Sequence, residues 1–327
     1  MKIPASIRDA HSSQFTANRV LKERVDKRIE GLKDKRWHYE SRLKDLENFA
    51  IKLESGRCPD PFAVEDFFAC TLVVRNGTEI KTAEDLVLRE FELKERRPRS
   101  PGFTHKGVQA FPFDDLRLYV RWKDDEANRP TELPRQPFEV QIKTFLFHAW
   151  SIATHDLVYK SDKESWGLQR IAYQIRAMLE HAEVSIQEAD TLAESEGLRL
   201  MNKDIHDLSE MIDFLHEQWP PDALPKDLRR LAQNFLTVAR AVDMSIDEFR
   251  LVLNKESEAG SGKQTLNLSP YGILIQSLLR QSSSRMKGVF TDARSRTKIL
   301  VPSEIELPND FNPEALTNAI FVRKKGI

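Results

Sequence analysis

The chain has 327 residues, enough for two domains with separate cores. Its 50 Lys and Arg against 51 Asp and Glu give a formal net charge of −1, which excludes a globally basic nucleic-acid binder but allows a local basic patch. Two cysteines are too few for a disulfide framework, and neither a signal segment nor a run of ~18 apolar residues is visible. We therefore expect a soluble, cytoplasmic protein that does not contact membranes.

Helices and strands alternate in the first half of the chain. Apolar residues at spacings of three and four predict amphipathic helices at 20–32 and 43–53. Short β-rich or alternating runs predict strands at 67–74, 116–122 and 138–142. This mixture predicts an α/β (or α+β) fold, with a mixed sheet flanked by helices.

The last of these strands changes directly into a helix. Its alternation directs Glu139 and Gln141 to one face and Val140 to the other. From Thr144 the period is helical as far as about Leu200, with one break.

The remainder of the chain has a different pattern. Beyond Met201 the apolar stripes are helical, and Ser245 with Glu248 forms a capping box. The run 301–308 is at most a lone strand. We expect an α/β domain at 1–200 and a mainly helical domain of unknown role at 201–327.

The segment from Glu139 to Lys160 concentrates residues that can do chemistry. A carboxylate on the polar face of a strand, close to the start of a helix, is well placed to hold a metal or accept a proton. His148 and His155 are seven residues apart and share a helix face. For the two histidines alone, packing and hydrogen bonding beneath the sheet is the more ordinary interpretation.

This segment resembles the signature of the RelA/SpoT-type alarmone synthetase domain, in which Glu-x-Gln-x-Arg-Thr is followed by His-Ala-Trp and by His-x-x-x-Tyr-Lys. Lys143 replaces the arginine of that signature. The resemblance covers roughly residues 20–200 and implies a nucleotidyltransferase-like sheet. The matching positions are Glu139, Gln141, Thr144, His148, Ala149, Trp150, His155, Tyr159 and Lys160.

The ATP-binding motif of that family, Arg-x-Lys-x-x-x-Ser-x-x-x-Lys on a helix, has a counterpart upstream. Arg42, Lys44 and Lys52 match it, and Asn48 replaces the serine. Such spacing lets several donors line one side of a helix that faces a triphosphate. On its own the run would more often be a solvated face. The resemblance assigns these four residues and His148 to ATP.

A metal site is implied between two strands. Asp66 stands where the family has Asp-x-x-Gly-x-Arg, whose aspartate holds Mg²⁺, although Ala69 and Thr71 replace the glycine and the arginine. With Glu139 it would form a two-carboxylate magnesium site beside substrate phosphates. An aspartate at the head of a strand is also an ordinary turn residue.

The acceptor loop of the family, Gly-Tyr-x-Ser-x-His, is altered. Phe103 follows a glycine and His105 has a different spacing, so an aromatic ring can still stack on a base but cannot donate a phenolic hydrogen bond. The resemblance assigns these two residues and Tyr159 to the acceptor. Four basic residues in or near this predicted loop suit either phosphate binding or a plain basic surface: Arg96, Arg97, Arg99 and Lys106.

The resemblance implies an ATP-dependent pyrophosphotransferase that uses Mg²⁺. It would move the β,γ-pyrophosphate of ATP to the ribose 3′-hydroxyl of GTP or GDP, forming (p)ppGpp and AMP. Glu139 would take the hydroxyl proton and Gln141 would orient that face, with Asp66 on the metal.

Two alternatives stay open. The altered loop and a basic first helix suit toxic pyrophosphorylation of a tRNA 3′ end, with 201–327 as a restraint or sensor. Thr71 and the same loop also suit a degenerate module that binds nucleotide or a partner without turnover. The amphipathic helices of 201–327 need a partner surface, which could be the first domain, a second copy or another protein.

Overall fold

A computed structural model describes residues 2–56, 58, 60–100, 102, 116–123, 137–158, 165–259 and 268–322. The chain divides into two compact units, Met1–Leu198 and Arg199–Ile327. Among the residues described, no helix has the length and apolar character needed to cross a membrane.

The first unit is a mixed sheet with helices packed on it. The sheet order is β1-β2-β5-β4-β3, with β2 and β5 parallel and the other neighbours antiparallel. The α/β class expected from the sequence is thereby confirmed. In chain order the elements are α1 (Ala5–Leu32), β1 (His38–Leu43), α2 (Leu46–Glu54), β2 (Phe68–Val74), α3 (Ile80–Glu90), β3 (Phe91–Arg97), β4 (Leu116–Trp122), β5 (Phe138–Thr144), α4 (Phe145–Val158), α5 (Trp166–Gln187) and α6 (Ala189–Ala193).

One face of this sheet is apolar and buried. Its side chains pack with apolar residues of α1 and α3 in a single core. Because side chains alternate along each strand, every second residue enters this core. Members from the three central strands include Cys70, Leu72, Leu118, Val140 and Ile142, each at most 2% exposed.

The opposite face carries polar side chains in register. Arg42 pairs with Ala69, Ala69 with Glu139, and Glu139 with Tyr119 across four neighbouring strands. Since directly paired residues share a face, these four side chains form one row. Glu139 and Gln141 thus face away from Val140, as the alternation predicts.

The prediction of a helix at 43–53 is wrong at its start. The prediction that the whole ATP motif lies on one helix is therefore also wrong. Arg42 lies in β1 and Lys44 in the turn after it, so that only Asn48 and Lys52 belong to α2.

Two local interactions cause this difference. Leu43 is paired with Phe68 in the sheet, and Asp45 is the N-cap of α2, with its side chain accepting a hydrogen bond from the Asn48 backbone N–H. A capping aspartate satisfies one of the N–H groups that a helix start leaves open, so the helix begins after it.

The second unit is mainly helical around its own core. Ser245 and Glu248 form the expected capping box, with bonds of 2.8 and 3.2 Å. The expectation of at most a lone strand is wrong, because Ile299–Pro302 pairs in parallel with Ala319–Val322. The elements are α7 (Lys203–Gln218), α8 (Leu228–Val242), α9 (Ile246–Ala259), α10 (Pro270–Gln281), α11 (Ser283–Thr291), β6 (Ile299–Pro302) and β7 (Ala319–Val322).

Candidate functional site

A cavity of about 680 Å³ lies over the polar face of the five-stranded sheet. Helix α4 follows β5 without a loop, and Thr144 Oγ1 accepts a hydrogen bond from the Phe147 backbone N–H at its first turn. This short connection brings His148 and Trp150 of α4 into the wall of the cavity.

Cationic side chains line the cavity from three strands. Arg42 comes from β1, Arg117 from β4 and Lys143 from β5, and Thr71 and Gln141 lie between them in the wall. Guanidinium and ammonium groups are the usual protein ligands of phosphate oxygens. The charge of this wall therefore suits an anionic ligand such as a nucleotide.

Glu139 is a buried carboxylate beside this wall, only 5% exposed. Its Oε2 accepts a hydrogen bond from the Tyr119 hydroxyl at 3.0 Å, and its Oε1 accepts one from the Gln141 amide. Burial and the neighbouring charge of Glu139 raise the pKa of Tyr119 to about 12, so the phenol remains a donor at neutral pH. Because Gln141 also lines the cavity, it connects the carboxylate to the cavity wall.

Arg97 closes the other side of the Tyr119–Glu139 pair. Its Nη1 donates to the Tyr119 hydroxyl at 3.0 Å, and its guanidinium lies 4.3 Å from the centre of the tyrosine ring. It also lies 3.8 Å from Glu65, the residue before Asp66. One arginine thus links the strand that carries Tyr119 to the segment that carries Asp66.

Arg96 has a different role from the one expected in a basic loop. It belongs to β3, where its Nε contacts the buried Glu84 carboxylate at 2.6 Å. This ion pair fixes α3 to the sheet.

A second charged cluster surrounds Asp66. Lys52 Nζ lies 2.6 Å from one carboxylate oxygen and Lys44 Nζ lies 2.9 Å from the other. Burial by itself would raise the pKa of Asp66, but the two lysine hydrogen bonds outweigh it and the pKa is lowered. The structure therefore brings two of the predicted lysines to the ionised carboxylate of Asp66, which was also predicted.

Asn48 has a structural contact instead of a place in either cluster. Its side-chain amide donates to Asp45 at 2.6 Å, so it stabilises the start of α2.

His148 is only 9% exposed and lies beside two polar residues of β1. Its Nδ1 is 4.0 Å from Glu40 Oε1, and its ring centre is 5.6 Å from that of His38. Burial first, and then the charge of Lys143, lower the pKa of His148, which favours a neutral imidazole.

Two carboxylates predicted to share Mg²⁺ are held by separate sets of donors, Asp66 by lysines and Glu139 by Tyr119 and Gln141. Phe103, His105 and Tyr159, assigned to the acceptor, lie outside the described residues, as does the side chain of His155.

Four residues near the site were not singled out from the sequence. Arg117 and Tyr119 occupy the polar face of a strand that the alternation predicts, and His38 and Glu40 precede Arg42 with the same period of two. That period was the available signal, but it does not say which strands become neighbours.

Solved structures of small alarmone synthetases are among the proteins to which this chain is similar. No family model matches the chain, and no curated protein does. Among solved structures, small alarmone synthetase 1 from Bacillus subtilis matches with 12% identity over 56% of this chain and 97% of that chain, at a TM-score of 0.46. The same protein bound to its product pppGpp matches with 12% identity over 56% of this chain and 98% of that chain, at a TM-score of 0.45.

A GTP pyrophosphokinase family protein from Streptococcus pneumoniae matches with 19% identity over 59% of this chain and 100% of that chain, at a TM-score of 0.39. All three TM-scores are below 0.5.

Proposed function

We propose that the chain is an ATP-dependent pyrophosphotransferase whose acceptor is the ribose 3′-hydroxyl of GTP or GDP. The observation that carries the proposal is the buried carboxylate of Glu139, connected through Gln141 to a cavity lined by cationic side chains. The sequence motifs resemble those of enzymes with this chemistry, and they contribute several of the residues involved.

The cavity wall supplies charge for the phosphates of ATP. Arg42, Arg117 and Lys143 would contact the triphosphate and hold it in line with the acceptor. Phosphoryl transfer depends mainly on such alignment and charge neutralisation.

Glu139 is the proposed general base. The acceptor hydroxyl would attack the β-phosphorus of ATP and give its proton to Glu139. The bond between the β-phosphorus and the oxygen that bridges it to the α-phosphorus breaks, and AMP leaves with that oxygen. The hydrogen bonds from Tyr119 and Gln141 would hold the carboxylate in position for this step.

Asp66 and Glu139 also offer the oxygen ligands that Mg²⁺ prefers. Each carboxylate oxygen accepts from a protein donor, so a bound ion would replace some of these contacts, for example that of Lys52 with Asp66. When bound, Mg²⁺ would neutralise charge on the transferred phosphates.

The direct test is to incubate the full chain with ATP labelled in its γ-phosphate, together with GDP, GTP or bulk tRNA. Transfer of label to a guanosine nucleotide together with AMP formation supports the proposal. Label on tRNA would replace the guanosine acceptor with the tRNA 3′ end. Measurable ATP binding without AMP release for every acceptor would favour the degenerate module.

A regulatory role is proposed for residues 201–327. Expression of the full chain and of residues 1–200 in a bacterial host tests it. Growth arrest by the shorter chain alone would support a restraint, and equal growth with both would contradict it.

A further inference from the structure

Three side chains with metal-binding atoms meet at the edge of the sheet. The period of two along β1, which is a sheet edge, places His38 and Glu40 on the polar face. The first turn of α4 brings His148 to the same place, and one ligand atom of each residue lies within 4.8 Å of the other two.

Two imidazoles and one carboxylate form a ligand set that prefers certain metal ions. Nitrogen and mixed nitrogen–oxygen sets suit Zn²⁺ and its first-row neighbours, whereas Mg²⁺ prefers oxygen ligands alone. Bonds of about 2.0–2.1 Å to a tetrahedral ion would place the ligand atoms about 3.3 Å apart. His38 and Glu40 are exposed, so their side chains have room to turn inward by the required distance.

The charge beside the buried ligand His148 is also suitable. Glu40 supplies the negative charge that a divalent cation needs beside this histidine.

We propose that His38, Glu40 and His148 bind one transition-metal ion of the Zn²⁺ class, at a site distinct from the carboxylates of Asp66 and Glu139. Three protein ligands leave a coordination position for a water molecule or another group. Because Glu40 and His148 line the cavity, the ion would add positive charge to the wall that also carries Arg42.

The test is metal binding by the full, untagged, metal-free chain in the absence of nucleotide. Co²⁺ is titrated while its visible absorption is recorded, and Zn²⁺ is titrated by calorimetry. We expect one ion per chain and a Co²⁺ spectrum typical of nitrogen–oxygen coordination. His38→Ala and His148→Ala should each weaken metal binding by more than about tenfold. Loss of a residue that only supports a metal ligand through a hydrogen bond already lowers metal affinity by about 10–100-fold.

His181→Ala is the matched control, because it removes an exposed histidine of α5 and should leave binding unchanged. If His148→Ala does not fold, His38→Ala decides, since its ring is exposed. Absence of binding to the wild-type chain, or unchanged binding by a folded His38→Ala variant, would overturn the proposal. The assay contains no ATP, so its result is independent of pyrophosphotransfer.

Discussion

The Tyr119 hydroxyl donates a 3.0 Å hydrogen bond to Glu139 from the strand directly beside it. Without this hydrogen bond, one oxygen of the buried carboxylate would lack a donor. A buried acceptor without a hydrogen-bond partner costs about 1–3 kcal/mol. The position of the proposed base therefore depends on a residue of another strand.

Tyr119→Phe should lower the rate of AMP formation by about tenfold, because the carboxylate loses one of its two positioning donors. Steady-state kinetics should show the loss in kcat more than in KM. The matched control is Tyr39→Phe, which removes a 2.7 Å hydrogen bond to Asp26 from the other face of the sheet. Equal losses of activity in both variants would contradict a positioning role for Tyr119.

Arg117→Gln should weaken ATP binding by about tenfold, or about 1.4 kcal/mol, because the cavity wall loses a guanidinium. Calorimetric titration with a non-hydrolysable ATP analogue measures it. Arg89→Gln serves as the control, since this exposed arginine lies at the end of α3. Unchanged affinity in the Arg117 variant would place the triphosphate elsewhere.

Lys52→Met should make stability depend less on pH. The pKa of Asp66 is lowered in the folded protein, so its ion pairs stabilise the fold above its ordinary value of 3.8 and are lost as the pH falls through the lowered value. At pH 7 we expect a loss of about 1 kcal/mol, since both side chains are partly exposed. Urea unfolding of the variant and the wild-type chain at pH 7 and pH 3 checks this. A difference in the free energy of unfolding that is equal at both pH values would contradict it.

Phe235→Ala should destabilise the second unit by about 3–5 kcal/mol. The ring is fully buried, with Trp219 at 5.8 Å and Tyr271 at 6.5 Å between ring centres. Urea unfolding followed by tryptophan fluorescence measures the loss. Leu251→Ala is the control in the same unit, because this side chain of α9 is 59% exposed and its removal should cost far less.

Local patterns predicted part of this site well. Alternation around Val140 placed Glu139 and Gln141 on one face, because side-chain direction in a strand depends only on position. The helical period after Thr144 likewise located α4, which carries His148.

Non-local pairing accounts for what was missed. The spacing of Leu43 with later apolar residues suits a helix, but its pairing with Phe68 and the capping by Asp45 place it in β1. The register of Tyr119 with Glu139 joins segments twenty residues apart, and no local period encodes it.

The measurement that tests the central claim most directly is AMP formation by Glu139→Gln, compared with Glu54→Gln at the exposed end of α2. Both variants should unfold at the wild-type temperature to within a few degrees, and the second should keep wild-type turnover. We predict that Glu139→Gln forms AMP at less than about a hundredth of the wild-type rate, because general acid–base catalysis typically contributes about 10²–10⁴-fold. Near-wild-type turnover by folded Glu139→Gln would contradict the assignment of the buried carboxylate as the base.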